Sequence, residues 1–259
     1  MLFSLVGFMP AMLIAENPFG EEETVLVAVA TNFAEVARQL QTDFQRQGHY
    51  TMTIATGSTG QLYAQIIHGA PYDIFLAADQ ERPRRLEVEG LAVPSSRITY
   101  AIGQLTLWSP DPDLLGPGGL VGLHTGEIRR LAMANPDLAP YGAAAREVLT
   151  SLGLYGPSPD GLRDRIIMGE NIGQTWAMVL SGNADLGFVA LSYVLSPNNP
   201  SHDKEGSRWD IPANLYTPIR QDAVILMHGM DNPAVWAFFE FLGGDEAKAT
   251  ITSFGYGTP

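Results

Sequence analysis

The sequence predicts an α/β protein of two lobes, each a mostly parallel sheet flanked by helices and joined to the other by two crossover segments. Two observations carry that prediction. Apolar runs of strand length alternate with segments whose apolar residues recur at helical spacing. The strand runs are near-continuous in hydrophobicity, which is the pattern of strands covered on both faces by helices. The alternation comes in two runs separated by the Pro/Gly-rich stretch "SPDPDLLGPGG", and each run is read as one lobe.

The elements follow in order. Residues 25–30, "VLVAVA", form a strand. Phe33, Val36, Ala37, Leu40 and Phe44 then recur at helical spacing until Gly48 stops the helix. "YTMTIAT" is a second strand, "GQLYAQIIHG" a short helix, "YDIFLAA" a third strand and "DQERPRRLEVEG" a third helix. A strand opens "GQLTLWSPDPDLLGPGG". The second run holds strands in "IRRLAMANP", "DRIIMGEN" and "ADLGFVALS", with helices in "YGAAAREVLTSLG" and "IGQTWAMVLSG". Residues 196–210 read as a polar surface loop, 221–229 as a strand and 232–244 as a helix with proline in its first turn. The crossovers fall near 103–109 and 211–222. Residues 24–104 with 216–259 are expected to make the first lobe, and residues 105–215 the second.

Composition narrows the function. A hydrophobic content of 46% against 17% charged residues is ordinary globular material with enough for a sizeable core. The net charge of −13, with no basic run beyond Arg82, Pro83, Arg84 and Arg85, excludes nucleic acid and anionic membrane surfaces as partners. The absence of cysteine excludes disulfides, thiolate metal sites, a cysteine nucleophile and a lipidated cysteine anchor. The opening "MLFSLVGFMPAMLIA" is apolar but too short to be a membrane span, and it has the core and small-residue end of a secretory signal. Residues 1–20 are therefore expected to be a signal peptide. The missing basic residues before that core point to a start further upstream.

Parallel α/β sheets place ligands at the carboxyl ends of their strands, where helix N-termini offer unpaired N–H groups and partial positive charge. Three strand-to-helix turns share a spacing that caps helices. Asn32 precedes Glu35 by three residues, Ser58 precedes Gln61, and Asn171 precedes Gln174. Any one of these serves a helix alone. Several at strand ends, with Thr31 beside Asn32 and Gly57, Thr59 and Gly60 around Ser58, point to a shared anion site. On this reading Asn32 caps the first helix, and Glu35 and Glu170 turn away from the ligand.

Enzyme signatures are missing. "GSTG" is not the nucleophile elbow, and no phosphate-binding or dinucleotide-binding glycine motif is present. His49, His68, His124, His202 and His228 lack metal-ligand spacing, and no pair of carboxylates stands out for acid–base work.

The segments "VAVATNFAEV", "TGSTGQLYAQIIHGAPYDIFLAADQERPRRLEVEGL", "LAMANPDLAPYGAAAREVL", "GENIGQTWAMVLSGNADLGFVALS" and "QDAVILMHGMDNPAVWAFFEFL" together resemble the periplasmic molybdate-binding proteins of ABC transporters. The resemblance runs in order from about residue 24 to 257. It implies a type II periplasmic binding protein that captures molybdate and tungstate, without catalysis or cofactor, and delivers the oxyanion to a membrane-embedded ABC permease. It also implies a monomer in the periplasm that is not itself membrane-anchored. Molybdenum would be present only as molybdate, with no protein atom bound to the metal. Matched position by position, it implies oxyanion contacts from Thr31, Asn32, Ser58, Tyr141 and Ile172, the last through its backbone N–H. Some family members carry a strand tyrosine where this chain has Ala190, so Tyr141 in "PYG" would supply the phenol. Two alternatives stand beside it: a receptor for another tetrahedral oxyanion such as sulfate or phosphate, and an enzyme on the same scaffold acting on an anionic substrate.

Overall fold

The computed structural model describes residues 23–48, 50–116, 123, 128–156, 161–196 and 206–259. The expected signal peptide lies outside the described residues, as does most of the expected surface loop, residues 197–205.

Two five-stranded sheets organise the chain. The first holds β1 (Glu23–Ala30), β2 (Tyr50–Gly57), β3 (Ile74–Leu76), β4 (Ile98–Gly103) and β10 (Ile219–Ile225), in the order β2-β1-β3-β10-β4. β1 is parallel to β2 and β3, while β10 is antiparallel to β3 and β4. The second holds β5 (Leu105–Ser109), β6 (Leu131–Ala134), β7 (Ile166–Gly169), β8 (Leu186–Ala190) and β9 (Ser207–Asp210), in the order β7-β6-β8-β5-β9. Here β6, β7 and β8 are parallel, and β5 is antiparallel to β8 and β9. Both sheets are therefore mixed. Each keeps a parallel core and takes an antiparallel strand from the chain that crosses between lobes.

The helices are α1 (Ala34–Arg46), α2 (Thr59–Ile67), α3 (Glu81–Val88), α4 (Pro140–Ser151), α5 (Ile172–Leu180), α6 (Leu191–Leu195), α7 (Pro233–Gly243) and α8 (Asp245–Ser253). They cover the sheets on both faces, as the apolar strands require. In β1, Val25, Val27 and Val29 join a cluster with Val36, Leu40 and Phe44 of α1 and Phe238 of α7. Ala28 points the other way, to Leu62 and Ile66 of α2 and Leu86 of α3. The second lobe packs Leu107, Met133, Tyr141, Val148, Leu186 and Phe188 into one core. Each such fully buried side chain contributes about 1.5–3 kcal/mol.

Several elements differ from the sequence reading. β4 and β5 form two strands in different sheets, with only Gln104 between them, so the chain changes lobes within one residue. Residues 207–210, read as part of a loop, pair with β5 as the edge strand β9. α6 and α8 were not anticipated. α8 is largely polar, and Ala247 and Ile251 are its buried residues.

Candidate functional site

Four strand-to-helix turns converge between the lobes. Ala30, Thr31 and Asn32 follow β1, Ser58 and Thr59 follow β2, Ala139, Pro140 and Tyr141 follow β6, and Ile172 follows β7; with Ala78 after β3 they line one cavity. The cavity is small, about 10 Å³, roughly the room of one water molecule. All five residues named from the sequence, Thr31, Asn32, Ser58, Tyr141 and Ile172, are on this wall. None of the lining residues is charged. Glu35 and Glu170 do not line it. Glu35 accepts a hydrogen bond from Ser196 Oγ at 2.5 Å, and Glu170 is exposed.

The helix starts give the cavity its electrostatics. Tyr141 is the second residue of α4, after Pro140, and Ile172 is the first of α5. Backbone amides at such positions have no partner within their own helix, and the helix dipoles add positive potential. Ser58 caps α2 with a complete capping box: its Oγ accepts from Gln61 N and its own N–H donates to Gln61 Oε1, both at 3.2 Å. Asn171 caps α5 by accepting from Gln174 N at 2.9 Å. The Gln174 side chain reaches back one residue further than a capping box requires, to the N–H of Glu170.

Asn32 is not a cap, contrary to the sequence reading. Thr31–Phe33 is a 3-10 turn that runs directly into α1, so Asn32 sits inside the helical segment. Its buried side chain points instead into the hinge, where Nδ2 donates to Gln221 Oε1 at 2.9 Å and to Tyr256 Oη at 3.1 Å.

A buried polar network lies behind the cavity. Tyr256 Oη donates to the Asn32 carbonyl at 2.6 Å, Tyr100 Oη donates to Gln221 Oε1 at 3.0 Å, and Gln221 Nε2 donates to Tyr141 Oη at 3.3 Å. Tyr193 Oη donates to the Thr31 carbonyl across the lobes at 2.6 Å. Sequence reasoning missed Tyr100, Gln221, Tyr193 and Tyr256. The one local sign was the polar run Arg220–Asp222 inside a strand whose other residues are apolar. Burial holds the phenols of Tyr141 and Tyr100 well above their ordinary pKa, reinforced by neighbouring ionisable groups, and pushes Tyr256 up to about 12. All three remain hydrogen-bond donors at neutral pH.

Further contacts tie the lobes around the cavity. Gly60 N donates to Leu138 O at 2.9 Å, and Arg82 Nη2 donates to Asp137 O at 3.2 Å. At Gly103 an added Cβ would overlap the Tyr141 hydroxyl and the Gln221 amide, so glycine is what allows β4 to lie against them. Among the described residues, no group of three or more His, Asp or Glu side chains could hold a metal ion. No helix among them is long and apolar enough to cross a membrane.

The chemistry of the site is thus that of a compact receptor for an anion, built from hydroxyls and helix N-termini without a cationic side chain. A family model described as bacterial extracellular solute-binding protein matches residues 25–257. The molybdate-binding protein ModA of Azotobacter vinelandii is 43% identical over 233 residues, covering 90% of this chain and 89% of that protein. ModA of Rhodobacter capsulatus is 42% identical over 234 residues, covering 90% and 88%. The solved structure of the Azotobacter vinelandii periplasmic molybdate-binding protein matches with a TM-score of 0.84 at 40% identity, covering 91% of this chain and 99% of that one. The chain belongs to the bacterial extracellular solute-binding proteins, in the family of the ModA proteins.

Proposed function

We propose that this protein captures molybdate, and tungstate with it, in the periplasm and delivers the oxyanion to a membrane-embedded ABC permease. The observation that carries the reading is an uncharged cavity beneath the starts of four helical segments, lined by Thr31, Ser58, Thr59 and Tyr141 among others. A tetrahedral dianion presents four acceptor oxygens and no proton. Hydrogen bonds from neutral donors to a charged acceptor contribute about 1.5–3 kcal/mol each, so several support tight binding without a counter-ion. In this proposal Thr31, Asn32, Ser58, Tyr141 and Ile172 are the contacts, with Asn32 acting through its backbone N–H because its side-chain amide is engaged in the hinge. The protein acts as a monomer, without bond-making chemistry or a cofactor, and the apolar opening of the chain serves as its export signal.

The molybdate-binding relatives, 43% and 42% identical, support molybdate over sulfate. A rigid cavity shaped to the larger anion leaves the oxygens of the smaller one short of their donors, and unmade hydrogen bonds then discriminate. Titration calorimetry with molybdate, tungstate and sulfate tests this. Saturable one-to-one binding of the first two, undisturbed by equimolar sulfate, is expected. Displacement of molybdate by equimolar sulfate would transfer the assignment to a sulfate receptor.

A further inference from the structure

Side chains of α6 and the residue after it grip the turn that follows β1 at three points. Tyr193 Oη donates to the Thr31 carbonyl at 2.6 Å, Ser192 Oγ donates to the Asn32 carbonyl at 3.2 Å, and Ser196 Oγ donates to the Glu35 carboxylate at 2.5 Å. Of the three, the Tyr193 bond acts on a peptide whose two residues, Thr31 and Asn32, both line the cavity.

A trans peptide is planar, and its N–H points opposite to its C=O. Holding the Thr31 carbonyl from one side therefore turns the Asn32 N–H to the other. Asn32 is the second residue of the 3-10 turn, so no carbonyl of its own turn reaches that N–H, and Ala30 before the turn, with ψ 133°, is not helical. The Asn32 side chain is taken by Gln221 and Tyr256. The Thr31 carbonyl also accepts from Ala34 N. A second bond, from a phenol, polarises the peptide further and makes its N–H a stronger donor.

The ring that carries the hydroxyl is braced. It stacks on Trp176 of α5, with 5.8 Å between centroids and 14° between planes, and Trp176 lies 4.7 Å from the buried Trp108 of β5. Gly173 keeps the start of α5 clear of the hydroxyl, since an added Cβ would lie 3.3 Å from Tyr193 Oη and 3.6 Å from Thr31 Cβ. Burial raises the Tyr193 pKa, with Tyr256 and Glu35 adding to it, so the phenol keeps its proton at neutral pH.

We infer that Tyr193 is a positioning residue that holds the Thr31–Asn32 peptide by its carbonyl and so aims and strengthens the Asn32 N–H as a donor to the bound anion. The inference rests on the proposed oxyanion site and adds to it a residue outside the cavity wall.

The experiment uses the full chain with molybdate as the probe, read by amide NMR and calorimetry. In the parent, the Asn32 amide proton is expected to move downfield on saturation with molybdate. Tyr193→Phe keeps the ring on Trp176 and removes the hydroxyl alone. It is expected to weaken molybdate binding about tenfold, the order of one hydrogen bond, and to shrink the Asn32 shift. Ser196→Ala removes another bond of the same grip, made to a side chain outside the cavity, and is expected to change affinity less than about twofold with the Asn32 shift intact. Unchanged affinity in Tyr193→Phe, or equal losses in the two variants, overturns the inference. So does an Asn32 amide that stays in place while the parent binds molybdate, a result that depends on no variant folding. Failure of the parent to bind molybdate at all would instead reject the oxyanion site itself.

Discussion

Gln61 and Glu170 join the two lobes side chain to side chain, Nε2 to Oε2 at 3.0 Å, while Gln61 also completes the capping box of Ser58. One residue thus serves a helix start and a lobe contact, and the two roles separate on mutation. Glu170→Ala removes only an exposed contact, so its effect on the urea unfolding free energy is expected to stay below about 0.5 kcal/mol. Gln61→Ala also removes half of the capping box and is expected to cost about 0.5–1 kcal/mol.

Ser58→Ala and Tyr141→Phe should differ in kind. Each is expected to lower molybdate affinity at least about tenfold through one lost donor. Ser58→Ala also leaves Gln61 N without its cap and should reduce stability by about 1 kcal/mol. Calorimetry and urea unfolding of the two variants check this. Unchanged affinity in both removes these residues from the site.

Gly103→Ala should damage binding more than its size suggests. The added methyl occupies the space of the Tyr141 hydroxyl and the Gln221 amide, so one of them must move. The expected result is a folded protein by circular dichroism whose molybdate affinity falls at least as far as in Tyr141→Phe.

Asp222 is fully buried, and Arg97 Nη1, Thr99 Oγ1 and Gln80 Nε2 all donate to it, at 2.6, 2.7 and 3.0 Å. Asp222→Ala leaves these donors facing an empty pocket and removes the partner of the arginine. A loss of about 3–5 kcal/mol is expected, measured by urea unfolding.

Alkaline pH should weaken the fold through its phenols. Burial raises the Tyr256 pKa from 10.0 to about 12, so the folded chain holds that proton more tightly than the unfolded one. The contribution is complete below pH 10.0 and is lost as pH climbs towards about 12, because the unfolded chain ionises first. Tyr100 and Tyr141 shift in the same direction. Stability measured by urea should therefore fall across that interval, and Tyr256→Phe should flatten the fall. Around neutral pH, molybdate affinity should not vary, since the cavity wall holds no carboxylate, imidazole or amine.

The sequence reading succeeded where structure is local. A buried strand, a short polar turn and a helical repeat lie within twenty residues of one another, so Ser58 with Gln61 and Asn171 with Gln174 could be found from spacing alone. It failed where the deciding partner is far along the chain. Asn32 has the residue type and spacing of a cap, yet Gln221 and Tyr256, 189 and 224 positions away, claim its amide. The change of sheet at Gln104 falls within the crossover read near 103–109, but β4 itself, Ile98–Gly103, went unread. β9 is four residues of mixed polarity that become a strand only because β5 offers an edge. Tyr141 was named through the family resemblance and not from local pattern. A phenol at the start of a helix reads as packing until Gly103 and Gln221 stand beside it.

The two connections between the lobes are unequal: Gln104 alone links β4 to β5, while residues 211–218 link β9 to β10. In any rotation about the short link, an atom travels in proportion to its radius from the pivot. Gly103, which adjoins that link, lies against the Tyr141 hydroxyl, so this hydroxyl swings through a short arc. The phenol is therefore positioned at folding, close to the pivot, and moves little when the lobes rotate.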